Sequence, residues 1–370
     1  MHDPVTLAQR LVRMDTRGGG EKAAAELLAE LLDEAGFDTA LSEPEAGRAN
    51  LVARYGSGTP VTLTGHLDTV PADPSGWSFP PLSGDIDGDV DGGLLRGRGS
   101  TDMKAGVASL AVAAVRSARR SPDGTDVQLV FTFGEETGCE GAAQLADLAP
   151  SPALIVAEPT ANQLVLGHKG ALWLRLTATG RSAHGSRPEL GDNALVKLAT
   201  SAARLHDPGR WPQSPTHGPA TVNVGTFRSG VQPNLVPDHA ELTLDVRTVP
   251  EFTAEQAVAE IRRLLPADVT VERLLDLPGV ATGADDALVR GVARALRPDE
   301  PDWRPQYATY FTDASVLRER LGGPAVVVYG PGDPGQAHAA DETCPVAAIR
   351  ESADAIGRLL CAWPELSGGR

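Results

Sequence analysis

The sequence predicts a two-domain α/β protein, with a central mixed sheet flanked by helices and a smaller inserted unit of β-α-β-β-α-β order. Three observations carry this expectation. At 370 residues the chain exceeds what one ordinary core organises and falls short of several full domains. Short continuous apolar runs, Val61 to Thr64, Val127 to Phe133, Ala153 to Ala157 and Ala325 to Tyr329, read as strands buried on both faces. From about Ala171 to Leu275 the pattern becomes strand, helix, strand, strand, helix, strand, which is the ferredoxin-like order.

In chain order, Met1 to Asp15 is amphipathic, with acids and bases and no signal-peptide core. Glu21 to Ala35 puts Leu27, Leu28, Leu31 and Leu32 on one helical face and stops at Gly36, a normal helix terminator. Each buried strand that follows leads into acids or a histidine, where open α/β sheets bind ligands, beyond the carboxyl ends of their strands. Asp85 to Asp91 resembles the start of a calcium loop, but Val90 stands where glycine is required and Arg96 where glutamate is, so it reads as an acidic hairpin. The inserted unit comprises strand Leu172 to Thr179, helix Asp192 to Leu205, strands Thr221 to Phe227 and Ala240 to Arg247, helix Thr253 to Leu265 and strand Val269 to Leu275. The expected division is 1–169 and 280–370 for the larger domain and 170–279 for the insert. A last helix covers Val346 to Ala362.

Composition narrows the function classes. The chain is 41% hydrophobic and 22% charged, as a globular protein should be, and its net charge of −16 sets it against nucleic acid and anionic membranes. The longest apolar run, around Gly106 to Val115, is well short of the roughly 20 residues that cross a bilayer. A cytoplasmic protein is expected. Cys139, Cys344 and Cys361 are odd in number and form no Cys-x-x-Cys, and so read as small buried residues.

Five clusters carry candidate chemistry. In Gly65-His66-Leu67-Asp68, two side chains two residues apart on an extended backbone point the same way, so His66 can bind a metal while Asp68 steadies its ring. Alone, His-x-Asp is common. Gly97-Arg98-Gly99-Ser100-Thr101-Asp102 is a glycine-rich turn entering a helix, without the spacing of a phosphate loop; an aspartate at its mouth can bridge two cations. Lys104, just beyond, is one of only four lysines, and another of the four, Lys169, also flanks a motif. In Gly134-Glu135-Glu136-Thr137-Gly138, adjacent carboxylates diverge, so one can ligate while its neighbour acts as a general base. Glu158 ends the fourth strand cluster, and His338 follows the turn Gly330-Pro331-Gly332 in Ala337-His338-Ala339-Ala340-Asp341-Glu342. Hard oxygen and imidazole donors without a thiolate suit zinc, manganese or cobalt in a hydrolytic site.

Taken in order, these motifs resemble the acetylornithine deacetylase, succinyl-diaminopimelate desuccinylase, glutamate carboxypeptidase and aminoacylase group of two-zinc metallopeptidases, over nearly the whole chain. The resemblance implies a zinc-peptidase-like catalytic domain with an inserted lid and dimerisation domain. It implies two divalent ions, zinc with cobalt or manganese as alternatives. Asp102 would be shared between them, with His66 and Glu158 on one side and Glu136 and His338 on the other. It makes Glu135 the general base, Asp68 the residue that orients His66, and His184 in Ser182-Ala183-His184-Gly185 an oxyanion donor supplied across a homodimer. Arg247, Asn234, Gly332, Lys169 and Thr312 become substrate contacts. Glu rather than Asp at position 158 resembles the deacylases and carboxypeptidases, and Gly167 to Gly170 and Thr312 to Ser315 look more like acetylornithine deacetylases and aminoacylases than like desuccinylases. The implied reaction is hydrolysis of an N-acyl-L-amino acid, with carboxypeptidase or dipeptidase action as the alternative and a non-catalytic metal-stabilised binding protein as a remote one.

Overall fold

The computed structural model describes residues 3–89, 92–300 and 302–368. Its contacts divide the chain into two units, residues 1–167, 282–306 and 312–370 in one and residues 168–281 and 307–311 in the other. These bounds differ slightly from 170 and 279, and they add the short segment Tyr307 to Phe311 to the smaller unit. No periodicity marks that return.

In the larger unit the sheet runs in the order Asp38–Glu45, Arg48–Tyr55, Val127–Thr132, Val61–His66, Ala153–Val156, Ala325–Val328, Val165–His168. The four strands Val127–Thr132, Val61–His66, Ala153–Val156 and Ala325–Val328 are mutually parallel. Their carboxyl ends therefore share one edge. Nearly every residue on them is buried, as expected of strands covered on both faces. Asp38–Glu45 is an exposed antiparallel edge strand, which explains why no apolar signal announced it.

The helices Pro4–Val12, Lys104–Arg120, Ala287–Leu296 and Val346–Gly368 pack on one another. The last runs beyond Ala362 and through Pro364, with Trp363 buried and its indole N–H donating to the Thr59 carbonyl. Glycine sets one close approach. A Cβ on Gly106 would lie 2.1 Å from the Ala157 carbonyl oxygen and one on Gly330 would lie 2.3 Å from the same atom, so the backbone before Glu158 is gripped from two sides.

The acidic segment forms a short antiparallel pair, Ile86–Asp87 with Leu94–Arg96, and Val90 lies outside the described residues. Cys139 and Cys344 are buried, but Cys361 is exposed, so it is not the core residue expected: its helix turns that position outward.

The smaller unit has strand order Thr221–Ser229, His239–Thr248, Gly170–Thr179, Thr270–Leu277, all neighbours antiparallel. Helices Ala194–Leu205 and Ala254–Leu264 join them, the second opened by a capping box of Thr253 and Gln256. Leu172, Leu174 and Leu176, alternating along one strand, pack with Leu198, Leu242, Leu244 and Ile261 in its core.

Candidate metal centre

At the shared edge of the parallel strands, four of the five expected donors converge with Glu135, the expected base. His66 closes its strand, Glu135 and Glu136 follow Val127–Thr132, Glu158 follows Ala153–Val156, and His338 lies on the loop after Ala325–Val328. The Asp102 carboxylate stands between the two imidazoles. Its Oδ1 lies 3.1 Å from His66 Nε2 and its Oδ2 lies 3.3 Å from His338 Nε2. Glu158 is 3.7 Å from His66 Nε2, and Glu136 is 2.9 Å from His338 Nε2. The Asp102–Met103 peptide is cis.

The electrostatics of the cluster suit a cation. Burial, reinforced by Asp102, pushes Glu158 and Glu136 above the usual carboxylate range. Burial likewise pushes Glu135 well up; the charge on His66 opposes this, while Glu158 and Glu136 add to it. Hydrogen bonds to Asp102 and Glu136 raise His338 to about 10. Carboxylates crowded this closely out of water repel one another, and a divalent cation relieves exactly that kind of repulsion.

The residues also fit such ions geometrically. Donors held ~2.1 Å from a tetrahedral ion lie roughly 3.4 Å from one another, and the four separations above bracket that value. Glu136 Oε1 is a buried acceptor without a hydrogen-bond partner. His66, Glu135 and Glu158 bring donor atoms within 4.8 Å of one another, as do His66, Asp102 and Glu136.

Asp68 does more than the sequence suggested. His66 Nδ1 is 3.0 Å from the Asp68 carbonyl oxygen and 3.5 Å from its carboxylate, so the backbone is the nearer partner of the ring. The carboxylate accepts instead from the backbone N–H groups of Glu135 and Glu136, both at 3.1 Å, and so holds the loop that carries them. Strand pairing brings that loop alongside Asp68, a relation invisible along the chain.

The substrate-contact candidates are in different settings. Gly332 is buried at φ +88°, where a Cβ would lie 2.7 Å from Thr101 Oγ1. Thr312 is buried too, and its hydroxyl accepts from the Ala314 N–H, which makes it a turn-former for Asp313. In the smaller unit, His184 and Asn234 are exposed and adjacent: the Gly185 N–H donates to the Asn234 carbonyl at 2.8 Å. The Ser186 N–H donates to His184 Nδ1, which leaves the neutral ring's proton on Nε2. Arg247 is half-buried, 3.0 Å from Asp245 and stacked over Phe311, and buried Lys169 donates to the Pro219 carbonyl.

Two buried groups lie inside segments that the sequence singled out, but without a role of their own. Asp313 bonds to Thr132 Oγ1, and burial pushes its carboxyl up to about 6. His168 has Nδ1 on the Lys169 carbonyl and Nε2 without a hydrogen-bond partner, and burial drives its pKa down to about 4. A histidine with a depressed folded pKa leaves stability intact above its unfolded value of about 6.5 and removes it as pH falls toward the folded one. Urea unfolding should therefore lose about 2 to 3 kcal/mol through His168 between roughly pH 7 and pH 4.5. His168→Gln should flatten that slope; an unchanged slope would show that His168 does not set it.

The family model for peptidase family M20/M25/M40 matches residues 62–362. The chain belongs to this peptidase family. A protein of Staphylococcus epidermidis named as a probable succinyl-diaminopimelate desuccinylase is 32% identical, over 92% of each chain. A probable carboxypeptidase of Aspergillus clavatus is 31% identical over 91% of this chain and 83% of its own. Among solved structures, an M20 family metallo-carboxypeptidase from Sulfolobus solfataricus aligns with a TM-score of 0.79 at 18% identity, covering 99% of this chain and 100% of the other. This M20 protein is accordingly an amide hydrolase of the metallopeptidase and desuccinylase type with a mixed α/β fold. Among its described residues, no helix is long and apolar enough to cross a membrane.

Proposed function

We propose that this M20 protein hydrolyses the amide of an N-acyl-L-amino acid at a centre of two divalent ions. The observation that carries the reading is the Asp102 carboxylate, which offers one oxygen toward His66 and the other toward His338. His66, Asp102 and Glu158 would hold one ion, and Asp102, Glu136 and His338 the other. Zinc fits the mixed imidazole and carboxylate set, with cobalt or manganese as substitutes. When bound, the ions supply Lewis acidity, polarising the scissile carbonyl and acidifying water.

Glu135 lies beside the ligands and is the general base in this reading. It takes a proton from the attacking water and delivers it to the departing amine. His184 of the partner subunit donates its Nε2 proton to the oxyanion, which calls for a homodimer assembled through a ferredoxin-like lid, residues 170–279. Arg247 pairs with the substrate carboxylate, its planar fork matching that group, and Asn234, Lys169 and Gly332 are the further substrate contacts of this reading. Thr312 contributes indirectly, by shaping the turn at Asp313. A cytoplasmic location accords with this chemistry and with the acidic composition.

The Aspergillus relative favours a second reading, carboxypeptidase action on a short peptide. A panel of N-acetyl, N-succinyl and N-formyl amino acids with dipeptides, assayed for free amine with added Zn²⁺ or Co²⁺, separates the two. Turnover of acyl amino acids, N-acetylornithine and N-succinyl diamino acids included, is expected; cleavage of peptides alone would overturn the first reading.

A further inference from the structure

Glu342 ends the motif that carries His338, yet it faces a different part of the chain. Its carboxylate is fully buried and accepts four donors from the turn that carries Asp102. Oε1 receives the backbone N–H groups of Thr101 at 2.7 Å and Asp102 at 3.0 Å. Oε2 receives the Gly99 N–H at 3.0 Å and the Arg98 guanidinium at 2.6 Å. The same seam is sewn by the Gly97 N–H on the Glu342 carbonyl, by Thr101 Oγ1 on the Thr343 carbonyl and by Arg98 on the His338 carbonyl.

We propose that Glu342 is a positioning residue that fixes Asp102 against His338, so that the ion held by Asp102, Glu136 and His338 depends on it. Three of its four donors are backbone amides of the aspartate turn, one of them Asp102's own. His338 sits four residues before it on a loop with left-handed backbone at His338 and Asp341, and its side chain is half exposed. Besides the imidazole's own contacts with Asp102 and Glu136, the His338 loop meets the aspartate turn through Glu342, the Thr343 carbonyl and the Arg98 bond to the His338 carbonyl, and of these Glu342 makes the most bonds. The ion on the His66 side has a different support, since His66 ends a fully buried strand and the N–H of Ala157, just before Glu158, donates to the Thr64 carbonyl of that strand.

Glutamine cannot replace the carboxylate. Both oxygens already receive two donors, so an amide nitrogen in either position faces two N–H groups, and flipping the side chain only exchanges one conflict for the other. Aspartate keeps the charge but withdraws it by one methylene.

The inference rests on the two-ion reading above, and the experiment separates their failures. Metal-free full-length protein is titrated with Zn²⁺ against a chromogenic chelator and with Co²⁺ by visible absorption, for the parent, Glu342→Gln and Glu342→Asp, with circular dichroism reporting the fold. A parent that binds two ions with distinct affinities is expected. In Glu342→Gln the weaker-anchored ion should bind about 10- to 100-fold less tightly, the range for loss of a residue that orients metal ligands. Its Co²⁺ bands should change, while the other affinity stays within a few-fold and Glu342→Asp falls between. A parent that binds no more than one ion removes the two-ion reading itself. If the parent binds two and a folded Glu342→Gln binds both as tightly, or loses both equally, Glu342 does not position the second ion. Should the glutamine variant fail to fold, the aspartate variant decides the matter by the same criteria.

Discussion

Replacing Glu135 by glutamine is expected to lower kcat by about 10²- to 10⁴-fold, the range for removing a positioned general base, while metal content stays at the parent level. Glu135 is buried, its loop is fixed by Asp68 through the Glu135 N–H at 3.1 Å, and its carboxylate stands beside His66 and Glu158. Glutamine keeps the shape and the loop contacts but cannot accept the water's proton. KM should change little, because the amide removes proton transfer and leaves the binding groups in place. Steady-state kinetics with metal analysis of the same preparation check this. A variant that keeps most of its turnover would take the proton-transfer role away from Glu135, and one that loses metal would make Glu135 a ligand.

The second large effect is expected at Asp102. Asp102→Ala should release both ions together, with activity falling below detection and not returning on addition of Zn²⁺. The reason is the placement of its two oxygens, one 3.1 Å from His66 Nε2 and the other 3.3 Å from His338 Nε2. Removing a shared carboxylate strips a donor from both sites and leaves Glu136 and Glu158 crowded without a partner cation. Glu158→Ala or His338→Ala, by contrast, should cost one ion first. Metal content per chain measured across the three variants tests the pattern. Loss of only one ion from Asp102→Ala would show that Asp102 serves one site and that the two-sided arrangement does no bridging.

Much of the candidate centre could be read from the chain because its candidate donors follow apolar strand runs, and parallel strands put such ends on one edge. His66, Glu135, Glu136 and Glu158 were legible in that way. The strand Asp38–Glu45 was not, since an exposed edge strand lacks the buried pattern that betrays a core strand, and its inner, largely buried partner Arg48–Tyr55 also passed unread. Helices Ala287–Leu296 and Ala314–Arg320 also passed unread. The work of Asp68 and Glu342 was hidden for another reason. Their partners are backbone amides, which every residue carries and which leave no mark in a sequence. The amides that Glu342 holds lie about 240 positions earlier in the chain.

The sequence by itself determined the candidate donors and their order: two imidazoles, hard carboxylates, no thiolate, and a carboxylate pair suited to separate binding from proton transfer. Those are properties of side chains and of local periodicity. Only the tertiary structure decided which donors stand together, that Asp102 lies between His66 and His338, and that Asp68 and Glu342 each hold a neighbouring loop by its amides. Distances between remote side chains follow from strand order and loop packing, which depend on contacts summed over the whole fold rather than on any stretch of it.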